Sequence, residues 1–126
     1  MKNRPFHARL RFALAGIAAG WRRERSLRTH VVFAALAAAA LLVLRPGALW
    51  CALVALVAGL VIALELVNAA IEGIVDLLHP AVHPEIKAIK DMAAGAVLVM
   101  SIAALLVAAA LIVDRADPVW RLLSQN

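Results

Sequence analysis

The chain has 126 residues, enough for one domain, and 65% of them are hydrophobic. Ordinary soluble domains hold roughly 45–50%. With a mean hydropathy of +0.92, a chain this small cannot hide its apolar surface in its own core, so lipid takes the excess. The net charge of +5 comes from 13 basic and 8 acidic residues, and the lone Cys51 excludes an internal disulfide.

Ala, Leu and Val dominate the apolar runs, which reads as helix rather than alternating strand. In Phe6 to Trp21, the residues Phe6, Leu10, Ala13, Leu14 and Ile17 recur at helical spacing, with Arg9 and Arg11 off that stripe. The pattern predicts an amphipathic helix over about 6–21, lying in the membrane interface. Eight of the basic residues precede position 30: Lys2, Arg4, Arg9, Arg11, Arg22, Arg23, Arg25 and Arg28. Such a flank suits nucleic acid or anionic lipid. The hydrophobic span that follows at once selects lipid and excludes nucleic acid as the partner. No cleavable leader is expected, because the first strongly apolar run begins only at Val31.

The first span covers about 29–44 and ends at Arg45-Pro46-Gly47, a turn that makes a hairpin with the next helix. The second span covers about 48–70. Its helical pattern continues to Leu78, so its end leaves the hydrocarbon, and His79-Pro80 stops it. Pro84 is expected to keep the loop irregular, with Glu85 to Asp91 a short charged lead-in. The third span, 92–113, is apolar apart from Ser101 and gives way to a polar tail, where Trp120 suits the headgroup level. The fold class is therefore all-α integral membrane, three transmembrane helices after a surface helix. Basic residues on the N-terminal flank and at Lys87 and Lys90 place that flank and the 72–91 loop in the cytoplasm.

Glu65, Asn68, Glu72 and Asp76 are spaced 3, 4 and 4 apart, which sets them on one stripe of one helix. Acids in line are costly against lipid, so the stripe must face protein, water or a cation. Like charges at i,i+4 repel, so Glu72 and Asp76 call for a compensating cation. Hard carboxylate oxygens suit Mg²⁺, which commonly keeps phosphate oxygens as further ligands. Lys90 suits phosphate, and Glu65, deepest of the four, is placed to take a proton from a lipid hydroxyl. Phosphoryl transfer needs mainly positioning and charge neutralisation. No Walker loop is present, so any nucleotide site is built differently. His79 and His83 lack the company that zinc requires. A small cation- or proton-coupled transporter also uses an intramembrane Glu, but near mid-span, whereas Glu65 lies toward the cytosolic edge.

The segment ELVNAAIEGIVD, followed by IKAIKDMAAGAVL, resembles the prokaryotic diacylglycerol kinase family, whose pattern is E-x-x-N-x-A-I-E-x-x-x-D and then A-K-D-x-x-x-x-A-V-L. Ile89 stands where the family usually has Ala, and the resemblance covers about residues 6 to 113. It implies a single lipid-kinase domain over 1–126 in the bacterial cytoplasmic (inner) membrane. It further implies a homotrimer with shared active sites, ATP with Mg²⁺ as donor and a membrane lipid alcohol as acceptor. By position, Glu65 resembles the catalytic base, and Glu24 and Glu72 the metal ligands. Asn68, Asp76, His83, Lys90 and Asp91, with Glu72, match positions that hold the nucleotide or support the site. Arg28 and Glu65 match the acceptor side. Diacylglycerol is the leading acceptor. The form E-R-x-x-R-x-H, with His30 where diacylglycerol-specific members carry an acid, looks like the undecaprenol kinase branch.

Overall fold

A computed structural model describes residues 3–124 as four helices: α1 (Phe6–Arg23), α2 (Arg25–Leu44), α3 (Ala48–Leu78) and α4 (Pro84–Ser124). Lys2 lies outside the described residues, and the Trp120 ring lies outside the described side chains. Three of the helices are long and apolar enough to cross a membrane: Arg25–Leu44, Ala48–Leu78 and the Pro84–Pro118 part of α4. The apolar core consists of Leu27, Val61, Val97 and Leu111, while side chains such as Leu42, Val43 and Leu105 are exposed. So small a core with so much outward-facing Leu and Val fits lipid as the surrounding solvent.

Each break between helices has a local cause. Glu24 is extended (φ −106°, ψ 115°) and separates α1 from α2, its N–H bonding to Gly20 O at 2.8 Å. Arg45 closes α2 in the left-handed region (φ 46°, ψ 57°), its N–H reaching Leu41 O at 2.9 Å, and Pro46 prevents any continuation. Gly47 then takes φ 99° and ψ 166°, a region open to glycine alone. A Cβ at Gly47 would meet nothing within 4 Å, so the demand is conformational rather than steric. Gly47→Ala is expected to destabilise the fold by about 1–3 kcal/mol, read as a lower thermal midpoint in detergent; an unchanged midpoint would refute the role of this turn. His79 ends α3, with its N–H on Val75 O at 2.8 Å and Pro80 next in line.

α3 is the central element, packing against α4 along its length and against α2 on another side. Both neighbours run antiparallel to it, as the Asp76–Lys90 and Trp50–Asp114 contacts show for α4. At the end remote from the acid stripe, the Trp50 indole N–H donates to Asp114 at 3.1 Å and the Arg115 guanidinium to Arg45 O at 3.2 Å. These two bonds tie the α2–α3 turn to α4.

One expectation is corrected. Pro84 does not keep the loop irregular. It is the first residue of α4, where a missing N–H costs nothing because the first helical N–H groups have no intrahelical partner. The charged residues Glu85 to Asp91 are accordingly helical, and so is the polar tail as far as Ser124. Pro118 sits inside that tail and removes one backbone bond without ending the helix. The first helix spans Phe6–Arg23 and has no buried residue; Phe6, Leu10, Leu14 and Ile17 are all exposed.

Candidate active site

The stripe on α3 runs from the interior outward. Glu65 is 3% exposed and Asn68 8%, Glu72 is half-buried, and Asp76 is open. The order follows the chain: each step of three or four residues climbs about one turn along a face packed between α2 and α4. At the deep end Ser26, from the first turn of α2, donates its hydroxyl hydrogen bond to Glu65 Oε1. Asn68 Oδ1 and Ser101 Oγ are buried without a hydrogen-bond partner. The α3–α4 register set by Asp76–Lys90 and Trp50–Asp114 brings Ser101 level with Leu64 and Glu65. Buried polar atoms left unpaired are uncommon and often mark sites.

At the open end the expected cation is present. Lys90 Nζ lies 2.9 Å from Asp76 Oδ1. That hydrogen bond lifts the Lys90 ammonium above the ordinary lysine value, partial burial opposes the rise, and the charges of Asp76 and Glu72 add to it. Lys90 lies just before the apolar run that begins at Met92.

Between α1, the start of α2 and α3 lies a cleft of about 460 Å³. Its floor is small or apolar, including Gly16, Ala19, Gly20, Ala69, Ala70 and Gly73, and its polar rim is Arg23, Glu24, Glu72 and Asp76. Gly20 sits at a close approach: a Cβ there would come within 2.7 Å of the end of the Leu66 side chain and 3.1 Å of that of Leu27, so a larger residue requires those side chains to shift. Glu24 is the N-cap of α2 but makes no side-chain capping bond, which leaves its carboxylate to the cleft.

The fold thus brings Glu24, Glu72 and Asp76 to one cleft and joins Lys90 to them. Asp91 is exposed and pairs with Lys87. His83 is exposed in the loop, accepting from the Glu85 N–H at 3.2 Å and lying edge-on to His79 with ring centroids 6.0 Å apart. Arg28 is exposed; none of Arg28, Glu65, Asn68, His83, Lys90 and Asp91 is among the residues lining the cleft. Sequence reading missed Arg23 and Ser26. Arg23 was one charge in a basic run, and Ser26 finds Glu65 across a separation of 39 residues, which no local pattern encodes.

Among the described residues no three His, Cys, Asp or Glu side chains gather as a ready-made metal cage. Glu24 and Glu72 nonetheless offer hard oxygen donors to one cleft, and Mg²⁺ is typically held by one or two carboxylates with substrate phosphates and water completing its shell. The donor set fits that ion.

The sequence profile described as "Prokaryotic diacylglycerol kinase" matches residues 11–112. The chain belongs to the prokaryotic diacylglycerol kinase family. Among relatives, it is 41% identical over 103 residues to a "Diacylglycerol kinase" of a Synechocystis species, a stretch covering 81% of this chain and 59% of the relative. It is 42% identical over 88 residues to an "Undecaprenol kinase" of Bacillus subtilis, covering 64% of this chain and 66% of that relative. The matched part therefore spans less than two-thirds of either relative's own length. No solved structure matches the chain. All four stripe residues, the Lys90-Asp91 pair and Glu24 fall inside the matched region.

Proposed function

We propose that the chain is an ATP- and Mg²⁺-dependent lipid kinase of the bacterial cytoplasmic membrane, phosphorylating the hydroxyl of diacylglycerol to give phosphatidic acid. The observation that carries this reading is a single stripe joining a buried carboxylate, Glu65, to a cleft rimmed by Glu24, Glu72 and Asp76. Glu65 would take the proton of the lipid hydroxyl as that oxygen bonds to the γ-phosphorus of ATP, the bond from the γ-phosphorus to the β-phosphate oxygen breaks and ADP leaves. One carboxylate oxygen is engaged by Ser26, which leaves the other for the acceptor. Glu24 and Glu72 would hold Mg²⁺, which when bound neutralises phosphate charge. Arg23 and Lys90 supply further positive charge to the phosphates, and Asp76 orients Lys90. Asn68, whose buried Oδ1 has no hydrogen-bond partner, would offer its amide to the nucleotide side of the same stripe. His83, Asp91 and Arg28 lie nearer the surface and close on ligands from there.

The basic N-terminal flank and loop support a cytoplasmic active-site face, with α1 lying in that interface. The family resemblance implies a homotrimer, in which neighbouring copies would cover part of the exposed helix faces. Family membership favours a kinase over a cation-coupled transporter. The second reading is undecaprenol kinase, favoured by His30 in E-R-x-x-R-x-H and by the Bacillus subtilis relative.

Initial rates with diacylglycerol and undecaprenol at equal mole fraction, in mixed micelles with labelled ATP, decide between acceptors. Faster transfer to diacylglycerol supports the first reading, and faster transfer to undecaprenol replaces it with the second. Lys90→Met is expected to raise the KM for ATP about 10- to 100-fold, the value of one charge-assisted contact. An unchanged KM would remove Lys90 from phosphate binding.

A further inference from the structure

Glu65 carries a question that the acid stripe leaves open: what holds a carboxylate at 3% exposure, in an apolar helix, at one orientation? A buried carboxylate needs a cation or hydrogen bonds. The Lys90–Asp76 and Lys87–Asp91 ion pairs do not include Glu65. Its partner is a neutral hydroxyl, Ser26 Oγ.

A helical Ser or Thr commonly bonds to the carbonyl four residues back, as Thr29 does, donating to Arg25 O at 3.2 Å. Ser26 is the second residue of α2, so that carbonyl lies beyond the break at Glu24, and its hydroxyl reaches across to α3 instead. The turn that bears it is well anchored: the next residue, Leu27, is the most deeply buried side chain, at 1% exposure, and packs toward Gly20 of α1. Two residues before Ser26 stands Glu24, whose backbone breaks the chain between α1 and α2 and whose side chain lines the cleft with Glu72. One hydrogen bond therefore links the turn bearing Glu24 to the buried acid on α3.

We infer that Ser26 is a positioning residue that holds the Glu65 carboxylate in fixed register with the Glu24 turn during phosphoryl transfer to the lipid hydroxyl. The inference rests on the reading of Glu65 as base. It does not put Ser26 in contact with substrate. Its hydroxyl fixes which carboxylate oxygen is engaged and which is left to the acceptor, and keeps the distance between base and phosphate side constant. Misplacing a reacting group by about 1 Å is enough to cost on the order of 100-fold in rate.

The test compares Ser26→Ala and Ser26→Thr with wild type, in full-length protein in detergent–lipid micelles. Ser26→Ala is expected to lower kcat about 10- to 100-fold with the KM for ATP unchanged, and Ser26→Thr, which keeps the hydroxyl, to restore most of it. The second readout needs no turnover: the side-chain carboxyl ¹³C resonance of Glu65, assigned by its loss in Glu65→Gln, should move in Ser26→Ala and stay near wild type in Ser26→Thr. Wild-type kcat in Ser26→Ala overturns the inference, as does equal impairment of both variants or a resonance that does not move. If wild type transfers phosphate to no lipid alcohol, the base reading fails by itself, and the resonance separately decides whether Ser26 orders Glu65.

Discussion

Glu65→Gln should lower kcat for lipid phosphorylation by about 10²- to 10⁴-fold, the usual worth of a positioned general base, while the protein stays folded. Glutamine has nearly the shape of glutamate, and its carbonyl oxygen can still accept from Ser26, so the α2–α3 contact survives. The amide cannot take a proton at neutral pH, so the acceptor hydroxyl is left unactivated. The check is a rate measurement beside circular dichroism and size exclusion in the same detergent. Activity retained within about tenfold, less than general-base removal should cost, would take the role of base away from Glu65. Loss of the folded species would mean that the carboxylate is needed for structure instead.

The second large effect is expected at the cleft. Replacing Glu24 or Glu72 by Gln removes a charged oxygen donor from a site that presents only a few. Half-saturation by Mg²⁺ at fixed ATP should rise by about tenfold or more, since 1.4 kcal/mol of lost binding already equals that factor. Part of the lost rate should return at high Mg²⁺. Asp76 differs, because its carboxylate is committed to Lys90. An unchanged Mg²⁺ requirement in both variants would separate these acids from the metal, leaving them as charges that merely shape the cleft.

Much of this arrangement is legible in the chain because its signals are local and strong. Pro46 and Gly47 mark the hairpin turn, and the hydrophobic runs on either side are long enough that α2 and α3 could be bounded within a few residues. The 3, 4, 4 spacing makes the Glu65–Asp76 stripe certain once a helix is granted, and the repulsion between Glu72 and Asp76 foretells a cation, which proves to be Lys90. What eluded sequence reading depends on context instead. Pro84 carries the same local chemistry whether it breaks a helix or begins one, and only its first-turn position, where no N–H is needed, tells the two apart. The gradient of burial along the stripe arises from packing between α2 and α4, so identical side chains on α3 end with different exposures. Ser26 is one hydroxyl in a polar stretch until the fold carries it to Glu65.

The measurement that bears most directly on the whole account is transfer of label from γ-³²P-ATP to lipid by the purified chain, with and without EDTA. Diacylglycerol and undecaprenol are supplied in separate micelles. A labelled, chloroform-extractable phospholipid is expected from at least one acceptor, absent with EDTA and restored by Mg²⁺. No labelled lipid from either acceptor, or transfer that persists undiminished in EDTA, would contradict it.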